Sequence, residues 1–95
     1  HRKVLSSLRP GRVVVFGEDK NLFKSFFISG GFAEVNPEKC ILLAESVDEM
    51  NSLEKSNVEK EVQELETQNS KDVKLKLLIA KAKIEALDAT HYSKI

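Results

Sequence analysis

The first half of the chain has the apolar pattern of strands. Residues 12–16 (RVVVF) and 22–29 (LFKSFFIS) are rich in β-branched and aromatic side chains. Residues 17–21 between them (GEDKN) have the composition of a turn. The pattern therefore predicts two strands joined as a hairpin.

Two further turns follow in this half. Gly30-Gly31 suits a two-residue hairpin because glycine adopts positive φ angles, and strand-like residues 32–35 come next. Asn36-Pro37 suits the start of a type I turn before residues 39–45 (KCILLAE). These signals predict an antiparallel β-meander of four strands.

The predicted strands are apolar on both faces. Residues 13–16 and 26–28 contain no charged side chain, and strands of this kind need cover on both sides. Four strands do not supply two layers, so the β-sandwich they imply is incomplete. Its unpaired edges also predict self-association of the chain.

A helical pattern begins after residue 45, with two possible N-caps. Ser46 is followed by Glu49, and Asn51 by Glu54, each three residues later as in a capping box. The residues alone do not choose between them. The helix is expected to end near Thr67. Its apolar positions form a thin stripe, which consists of Leu53, Val58, Val62 and Leu65.

A second helix of about 20 residues is predicted to start with Ser70 as its N-cap. Its apolar positions repeat at three and four and are Val73, Leu77, Ala80, Ile84 and Leu87, widened by Leu75, Leu78 and Ala82. We therefore expect an α+β fold. Residues 1–45 are predicted to form the partial antiparallel β-sandwich, and residues 46–95 an antiparallel two-helix hairpin.

Charge narrows the possible partners. The 15 basic and 15 acidic residues leave no formal net charge, which argues against a nucleic-acid partner. The predicted first helix is acidic and the second is basic. The basic residues of the second helix are Lys71, Lys74, Lys76, Lys81 and Lys83. They are either a solvated face or a surface for an acidic partner.

Candidate chemistry is sparse. The only conceivable nucleophile with a base is Cys40 with His1 or His91, and none of these is spaced as in a metal site. Cys40 is expected to be a small buried apolar residue. We therefore expect no catalytic site, cofactor or metal. No run of about 18 apolar residues is present, so a membrane would be reached only through a partner.

One stretch carries a family resemblance. Leu8-Arg9-Pro10-Gly11, a Val-rich strand and residues 26–35 (FFISGGFAEV) resemble the epsilon subunit of F-type ATP synthases, called delta in mitochondria. His1 matches a histidine that precedes the Leu-x-Pro-Gly segment in that family. The resemblance continues through residues 41–45 and the helical tail, but the opening strands of the family have no counterpart here.

The resemblance implies a function for the chain. In that family, the β-sandwich docks on the gamma subunit and the c-ring, so the chain is expected to be a non-catalytic rotor subunit that couples c-ring rotation to the catalytic head. It would be peripheral to the membrane through these partners. The amino-acid sequence of residues 26–35 favours a mitochondrial member of the family, located on the matrix side of the inner membrane. The alternatives are the cytoplasmic face of a bacterial membrane and the stromal face of the chloroplast thylakoid.

The resemblance also bears on regulation. Some bacterial members bind ATP through an Asp-x-x-Arg-Ala pattern, but this chain has residues 53–57 (LEKSN) at that place, which argues against nucleotide sensing. In relatives, the helical hairpin opens to block ATP hydrolysis, and the Lys series would permit the same role here.

Candidate interface residues follow from the resemblance and from the apolar pattern. On the sheet they are His1, Val14, Phe27, Ser29, Gly30, Gly31 and Phe32. The alternative function is a free-standing regulatory adaptor that binds an acidic protein through the Lys-rich second helix.

Overall fold

The computed structural model describes residues 3–16 and 22–88, without the side chains of Leu22 and Phe23. Two three-stranded antiparallel sheets precede two α-helices, which confirms the predicted α+β class. The strands are β1 (Val4–Leu8), β2 (Gly11–Phe16), β3 (Leu22–Ile28), β4 (Gly31–Val35), β5 (Cys40–Ala44) and β6 (Val47–Glu49). A 3-10 turn (Met50–Ser52) leads into α1 (Lys55–Glu66) and α2 (Val73–Asp88).

The six strands are three long strands, each divided between the two sheets. The first sheet has the order β1-β4-β5 and the second the order β2-β3-β6. Pairing of the first and second long strands runs from Val4 opposite Val35, past two intervening residues on each strand, to Val15 opposite Lys24. The second and third long strands also keep one register through the bend, with β4 paired to β5 and β3 paired to β6. The chain is therefore a meander of long strands that bend together at one corner.

The predicted hairpin at Gly30-Gly31 is wrong. β3 and β4 lie in different sheets, so this pair of glycines bends one long strand and does not join two neighbours. Backbone hydrogen bonds continue through the bend, since Ser29 N donates to Ser46 O at 3.2 Å and Glu45 N donates to Gly30 O at 3.1 Å. Glycine signals a bend and a tight turn equally well, and pairing with the third long strand decides between them.

Two strands of the structure, β1 and β6, were not predicted from the sequence. β1 was not predicted because Ser6 and Ser7 interrupt its apolar residues, and β6 lies where the first helix was expected to begin. The predicted turn at Asn36 is confirmed. Asn36 Oδ1 accepts hydrogen bonds from the backbone amides of Glu38 and Lys39, each at 2.9 Å. The other predicted turn, residues 17–21, lies outside the described residues.

Both predicted starts of the first helix are wrong. Residue 46 lies at the bend, and β6 pairs with β3 before the chain turns at Met50–Ser52. Glu54 occupies the N-cap position, without a side-chain capping bond. Sheet pairing therefore overrides the local capping signals. Thr67 is the C-cap, as expected.

Ser70 was predicted to be the N-cap of the second helix, but α2 begins only at Val73. Its hydroxyl donates to Asp72 Oδ1 at 2.8 Å, and Asp72 Oδ2 forms an ion pair with Lys76 Nζ at 3.0 Å. The hydrogen bond from Ser70, followed by that from Lys76, lowers the pKa of Asp72. The negative charge of Asp72 just before the first residue of α2 also interacts favourably with the positive end of the helix dipole.

The two helices pack against each other along their predicted stripes. Val58 and Leu65 of α1 are buried together with Val73 and Ala80 of α2. Val62, Leu77, Ile84 and Leu87 pack against this cluster. Lys55 Nζ and Asp88 Oδ1, at the open end of the hairpin, lie 2.7 Å apart. This ion pair joins a basic residue of α1, the helix predicted to be acidic, to an acidic residue of α2, the helix predicted to be basic.

Helix α2 also covers part of the second sheet. Phe27 is fully buried, and Lys83 Nζ of α2 lies 5.8 Å from the centre of its ring, within the range of a cation–π interaction. Arg12 Nε donates to Ser25 Oγ at 2.6 Å on the same face of this sheet. The hairpin is therefore placed over the second sheet and not over the first.

We expect Gly31→Ala to destabilise the chain by roughly 2–4 kcal/mol, because positive φ and overpacking each cost about 1–3 kcal/mol. Gly31 has φ +151°, and a Cβ there would clash with the carbonyl oxygen of Leu43 and lie 2.8 Å from the Cα of Ala44. Urea unfolding followed by circular dichroism measures the change.

Gly11→Ala is the matched control for this variant. A Cβ at Gly11 would meet its nearest atom, the carbonyl oxygen of Arg9, at 3.8 Å, an ordinary contact. Similar unfolding midpoints for the two variants would show that the close approach at Gly31 is not required.

We expect Ser70→Ala to raise the pKa of Asp72, because it removes the hydrogen bond that lowers this pKa most. Since the folded-state pKa is lowered, ionised Asp72 stabilises the fold above its unfolded-state pKa, and this contribution is lost as the pH falls through the folded-state pKa. An NMR titration of the carboxyl group measures the shift. Ser52→Ala, which removes only a bond to Glu49 O, is the control. An unchanged titration of Asp72 in Ser70→Ala would contradict this assignment.

Candidate partner-binding surfaces

An apolar patch lies on one face of the first sheet. Phe32 and Leu43 are directly opposite each other on β4 and β5, and alternation along the strands puts Leu5 of β1 on the same face. These side chains are 51%, 63% and 69% exposed, respectively. We call Leu5, Phe32 and Leu43 the apolar patch. Such a cluster is typical of a protein-binding surface.

The opposite face of the first sheet is also incompletely covered. Val4, Val35 and Leu42 lie on it by register and are exposed to solvent. The first sheet therefore exposes large apolar side chains on both faces, whereas α2 covers one face of the second sheet. The prediction that strands need cover on both faces rested on residues 13–16 and 26–28, which lie in the second sheet.

Phe27 and Val14 do not belong to the exposed surface. Phe27 is fully buried beneath α2, and Val14, opposite Ser25 on the same face, is half-buried. The prediction that Phe27 faces a partner conflicts with its burial within the chain. An apolar pattern alone does not separate a residue covered by its own helix from one that awaits a partner.

The predicted interface residues at the corner are mainly structural. Gly30 is buried and Gly31 is half-buried, and both have positive φ angles. Ser29 is half-buried, and its hydroxyl oxygen is buried without a hydrogen-bond partner in the described part of the chain. Phe32 is thus the residue of this group that presents a large apolar surface. His1 lies outside the described residues.

The Lys series does not form one basic face. Lys74 and Lys81 are seven residues apart, which places them on the same side of α2, and both are exposed. Lys83 is half-buried and turned toward Phe27. Lys76 is paired with Asp72, and Lys71 precedes the helix. Helical spacing was sufficient to predict that the lysines lie on different sides of α2. The sequence did not show which side of α2 faces the sheet.

A groove of about 520 Å³ lies between α2 and the connection from β1 to β2. Its lining consists of Arg9, Pro10, Leu78, Lys81, Ala82 and Glu85. The widened stripe of α2 therefore faces this groove and solvent, since Leu75 and Leu78 are exposed. Sequence reasoning missed the groove because its two walls are far apart in the chain.

The residues singled out for chemistry are not brought together. Cys40 is exposed at the start of β5, so the expectation that it is buried is wrong. His91, like His1, is outside the described residues. Among residues 3–16 and 22–88, no group of three or more His, Cys, Asp and Glu side chains is placed to hold a metal ion. No α-helix in those ranges has the length and apolar character needed to cross a membrane.

Comparison with known proteins identifies relatives. The chain is 33% identical over 69 residues to the ATP synthase epsilon chain of Rhodospirillum centenum, and the alignment covers 68% of this chain and 47% of the relative. It is 33% identical over 91 residues to the epsilon chain of Rhodospirillum rubrum, which covers 92% of this chain and 67% of the relative. The chain thus spans about half to two thirds of the length of these relatives.

A solved structure has a similar fold. A chain in the cryo-EM structure of the Euglena gracilis mitochondrial ATP synthase, OSCP/F1/c-ring, matches with a TM-score of 0.70 and 23% identity, covering 93% of this chain and 57% of that chain. In addition, a family model for the ATP synthase Delta/Epsilon chain, beta-sandwich domain, matches residues 1–50. Those residues include all six strands. The chain therefore belongs to the family of ATP synthase delta/epsilon chains.

Proposed function

We propose that this chain is a non-catalytic rotor component of a proton-translocating ATP synthase, which couples rotation of the c-ring to the catalytic head through the gamma subunit. Membership in the delta/epsilon chain family supports this function. The observation that carries the proposal is the apolar patch, which gives the β half a surface for a permanent partner.

The proposed partners are the gamma subunit and the c-ring. The similar solved chain comes from an assembly that contains F1 and a c-ring, and we extend that setting to this protein. Contact with the membrane would then be indirect. We propose the matrix side of the mitochondrial inner membrane as the location, with the cytoplasmic face of a bacterial membrane as the alternative, because the curated relatives are bacterial.

The chemistry of the apolar patch suits a stable interface. Leu5, Phe32 and Leu43 carry no charge, and burying their exposed portions would contribute roughly 3–5 kcal/mol. The charged residue Glu34 lies opposite Leu5 on the central strand, on the same face as the patch, and forms an ion pair with Lys3 at 3.5 Å.

Transmission of torque requires a stiff element. The second and third long strands keep backbone hydrogen bonds through the corner, so these two strands form one ladder that continues from the first sheet into the second. A force applied to the patch on the first sheet would therefore reach the second sheet through paired backbone and not through a flexible loop.

We propose a separate, regulatory role for the helical hairpin. Its core is distinct from the sheets, and it reaches the second sheet mainly through α2. The division of the chain into a sheet half and a hairpin, predicted after residue 45, remains a proposal. The pairing of β6 with β3 favours a boundary after the 3-10 turn at Met50–Ser52.

The adaptor alternative has little support. The relatives are ATP synthase epsilon chains, and the Lys residues are divided between different sides of α2. We therefore retain the rotor function as the single proposal.

We expect Phe32→Ala to weaken binding to a purified gamma subunit by about 2 kcal/mol, roughly thirtyfold, because a half-exposed aromatic residue in an apolar patch is a typical anchor. Co-elution on a sizing column, in ordinary and in high salt, measures binding. The wild-type complex should survive high salt, because an apolar interface is not screened.

Leu78→Ala is the matched control, since Leu78 is 54% exposed on α2, away from the patch. It should bind as the wild type does. If Phe32→Ala and Leu78→Ala bind gamma equally well, the patch is not the docking surface. If the folded wild-type chain does not bind gamma at all, the rotor proposal fails.

We expect charge reversal at two exposed lysines, Lys74→Glu with Lys81→Glu, to leave gamma binding unchanged, because both lie on α2 and not on the first sheet. The same co-elution assay measures this. Loss of binding in a variant with a normal circular dichroism spectrum would assign the interface to the hairpin and revive the adaptor alternative.

A further inference from the structure

A row of three side chains crosses the face of the second sheet that α2 covers. Arg12 of β2 lies opposite Phe27 of β3, and Phe27 lies opposite Asp48 of β6. Opposed residues of antiparallel strands direct their side chains to the same face of the sheet. We call Arg12, Phe27 and Asp48 the charged row, because it has a cation at one end, an aromatic ring in the middle and an anion at the other end.

Lys83 of α2 extends over the charged row. Among the strands of the second sheet, α2 makes its main contacts with β2, whereas the ammonium nitrogen of Lys83 lies 5.8 Å from the centre of the Phe27 ring on β3. Because the strand order is β2-β3-β6, this side chain extends away from β2 and toward the strand that carries Asp48.

The position of the Lys83 ammonium group is unusual for a helix at the surface. Lysine side chains commonly extend so that the charge reaches water, but Lys83 is half-buried over a fully buried ring. The cation–π interaction offsets part of the cost of removing this charge from water. Asp48 is also half-buried and brings a negative charge to the neighbouring strand. Among the described residues the two groups do not form a direct ion pair, so Asp48 attracts Lys83 at longer range, where partial burial limits screening.

Arg12 acts in the same direction from the other end of the charged row. Its Nε atom donates a hydrogen bond to Ser25 Oγ at 2.6 Å, which holds the guanidinium group against the sheet. Like charges repel, so the charge of Arg12 favours positions of the Lys83 ammonium group that are farther from β2. Repulsion from Arg12 and attraction to Asp48 therefore both draw Lys83 across the sheet toward β6.

We propose that Asp48 is a positioning residue for the helical hairpin. Its negative charge draws Lys83 over Phe27 and thereby holds α2 on the second sheet. The two helices have an apolar core of their own, so loss of this charge would weaken the attachment of the hairpin without unfolding it. This inference deepens the separate role proposed for the hairpin and rests on that role, but it does not use the rotor function.

Thiol labelling measures how firmly α2 is attached to the second sheet. Ala86 lies three residues after Lys83, on the same side of α2, and it is buried outside the core between the two helices. The background is the double variant Ala86→Cys, Cys40→Ser, which removes the exposed native thiol. Its new thiol reacts with a maleimide when α2 leaves the sheet. We expect Asp48→Asn to increase the labelling rate about fivefold in this background, an effect of the size that single charge interactions have in proteins.

Glu49→Gln is the matched control for this variant. Glu49 is next to Asp48 on β6 but lies opposite Phe26 on the other face of the sheet, and it pairs with Lys24 at 3.7 Å. The control removes the same charge from the same strand without changing the charged row, so its labelling rate should equal that of the background. Equal labelling rates in Asp48→Asn and Glu49→Gln would overturn the proposal.

A further substitution tests whether Asp48 acts through Lys83. Lys83→Met keeps an apolar side chain over Phe27 but removes the charge. We expect Asp48→Asn to have no additional effect when it is combined with Lys83→Met. With Lys83 present, Asp48→Glu should retain slow labelling, because it keeps the negative charge. If Asp48→Asn accelerates labelling equally with and without Lys83, Asp48 does not act on this lysine and the proposal fails.

Failure of this proposal can be distinguished from failure of the rotor function. Asp48 belongs to the second sheet and not to the apolar patch of the first, so Asp48→Asn should co-elute with the gamma subunit as the wild type does. Slow labelling of Asp48→Asn together with gamma binding would refute only the positioning role. Fast labelling of Asp48→Asn, with a wild-type chain that does not bind gamma, would refute only the rotor function.

Discussion

The close approach of two backbones at Gly31 is the constraint on which the sheet half depends. Gly31 lies opposite Ala44, and the space that a Cβ would need there is occupied by the backbone of Leu43 and Ala44. Because glycine has no Cβ, the second long strand can bend while it remains paired with the third. The bend turns one meander into two sheets without loss of register.

The two sheets have different surroundings as a result. The second sheet buries Phe27 under α2, whereas the first sheet exposes Leu5, Phe32 and Leu43 on one face. A domain normally needs two packed layers to bury its apolar surface. Among the described residues, the first sheet has no such second layer.

The helical hairpin has an apolar core between its two helices and a separate contact with the second sheet. The stripe of Val58, Leu65, Val73 and Ala80 joins α1 to α2 through apolar burial. Its contact with the sheet includes the approach of Lys83 to Phe27, an interaction worth only about 0.5–2 kcal/mol. The hairpin is thus more firmly assembled within itself than attached to the sheet, which is compatible with the regulatory role proposed for it.

The sequence by itself determined the elements whose signals are local. Periodicity identified the stripes of both helices, turn chemistry identified the turn at Asn36, and β-branched and aromatic content identified the strand character of residues 12–16 and 22–29. Each of these signals depends on residues close in the chain. The residues that match the ATP synthase family were also recognised from the sequence, as was the need for cover on both faces of the strands.

Only the tertiary structure decided the features that depend on distant pairing. The bend at Gly30-Gly31, the strand β6 in place of a helix start, and the burial of Phe27 beneath α2 all depend on residues that approach from other parts of the chain. A local pattern shows that a side chain needs cover, but it does not show which element supplies it. For this reason Phe27 and Phe32, similar in sequence context, have opposite places in the fold: one is in the core and the other is on the surface.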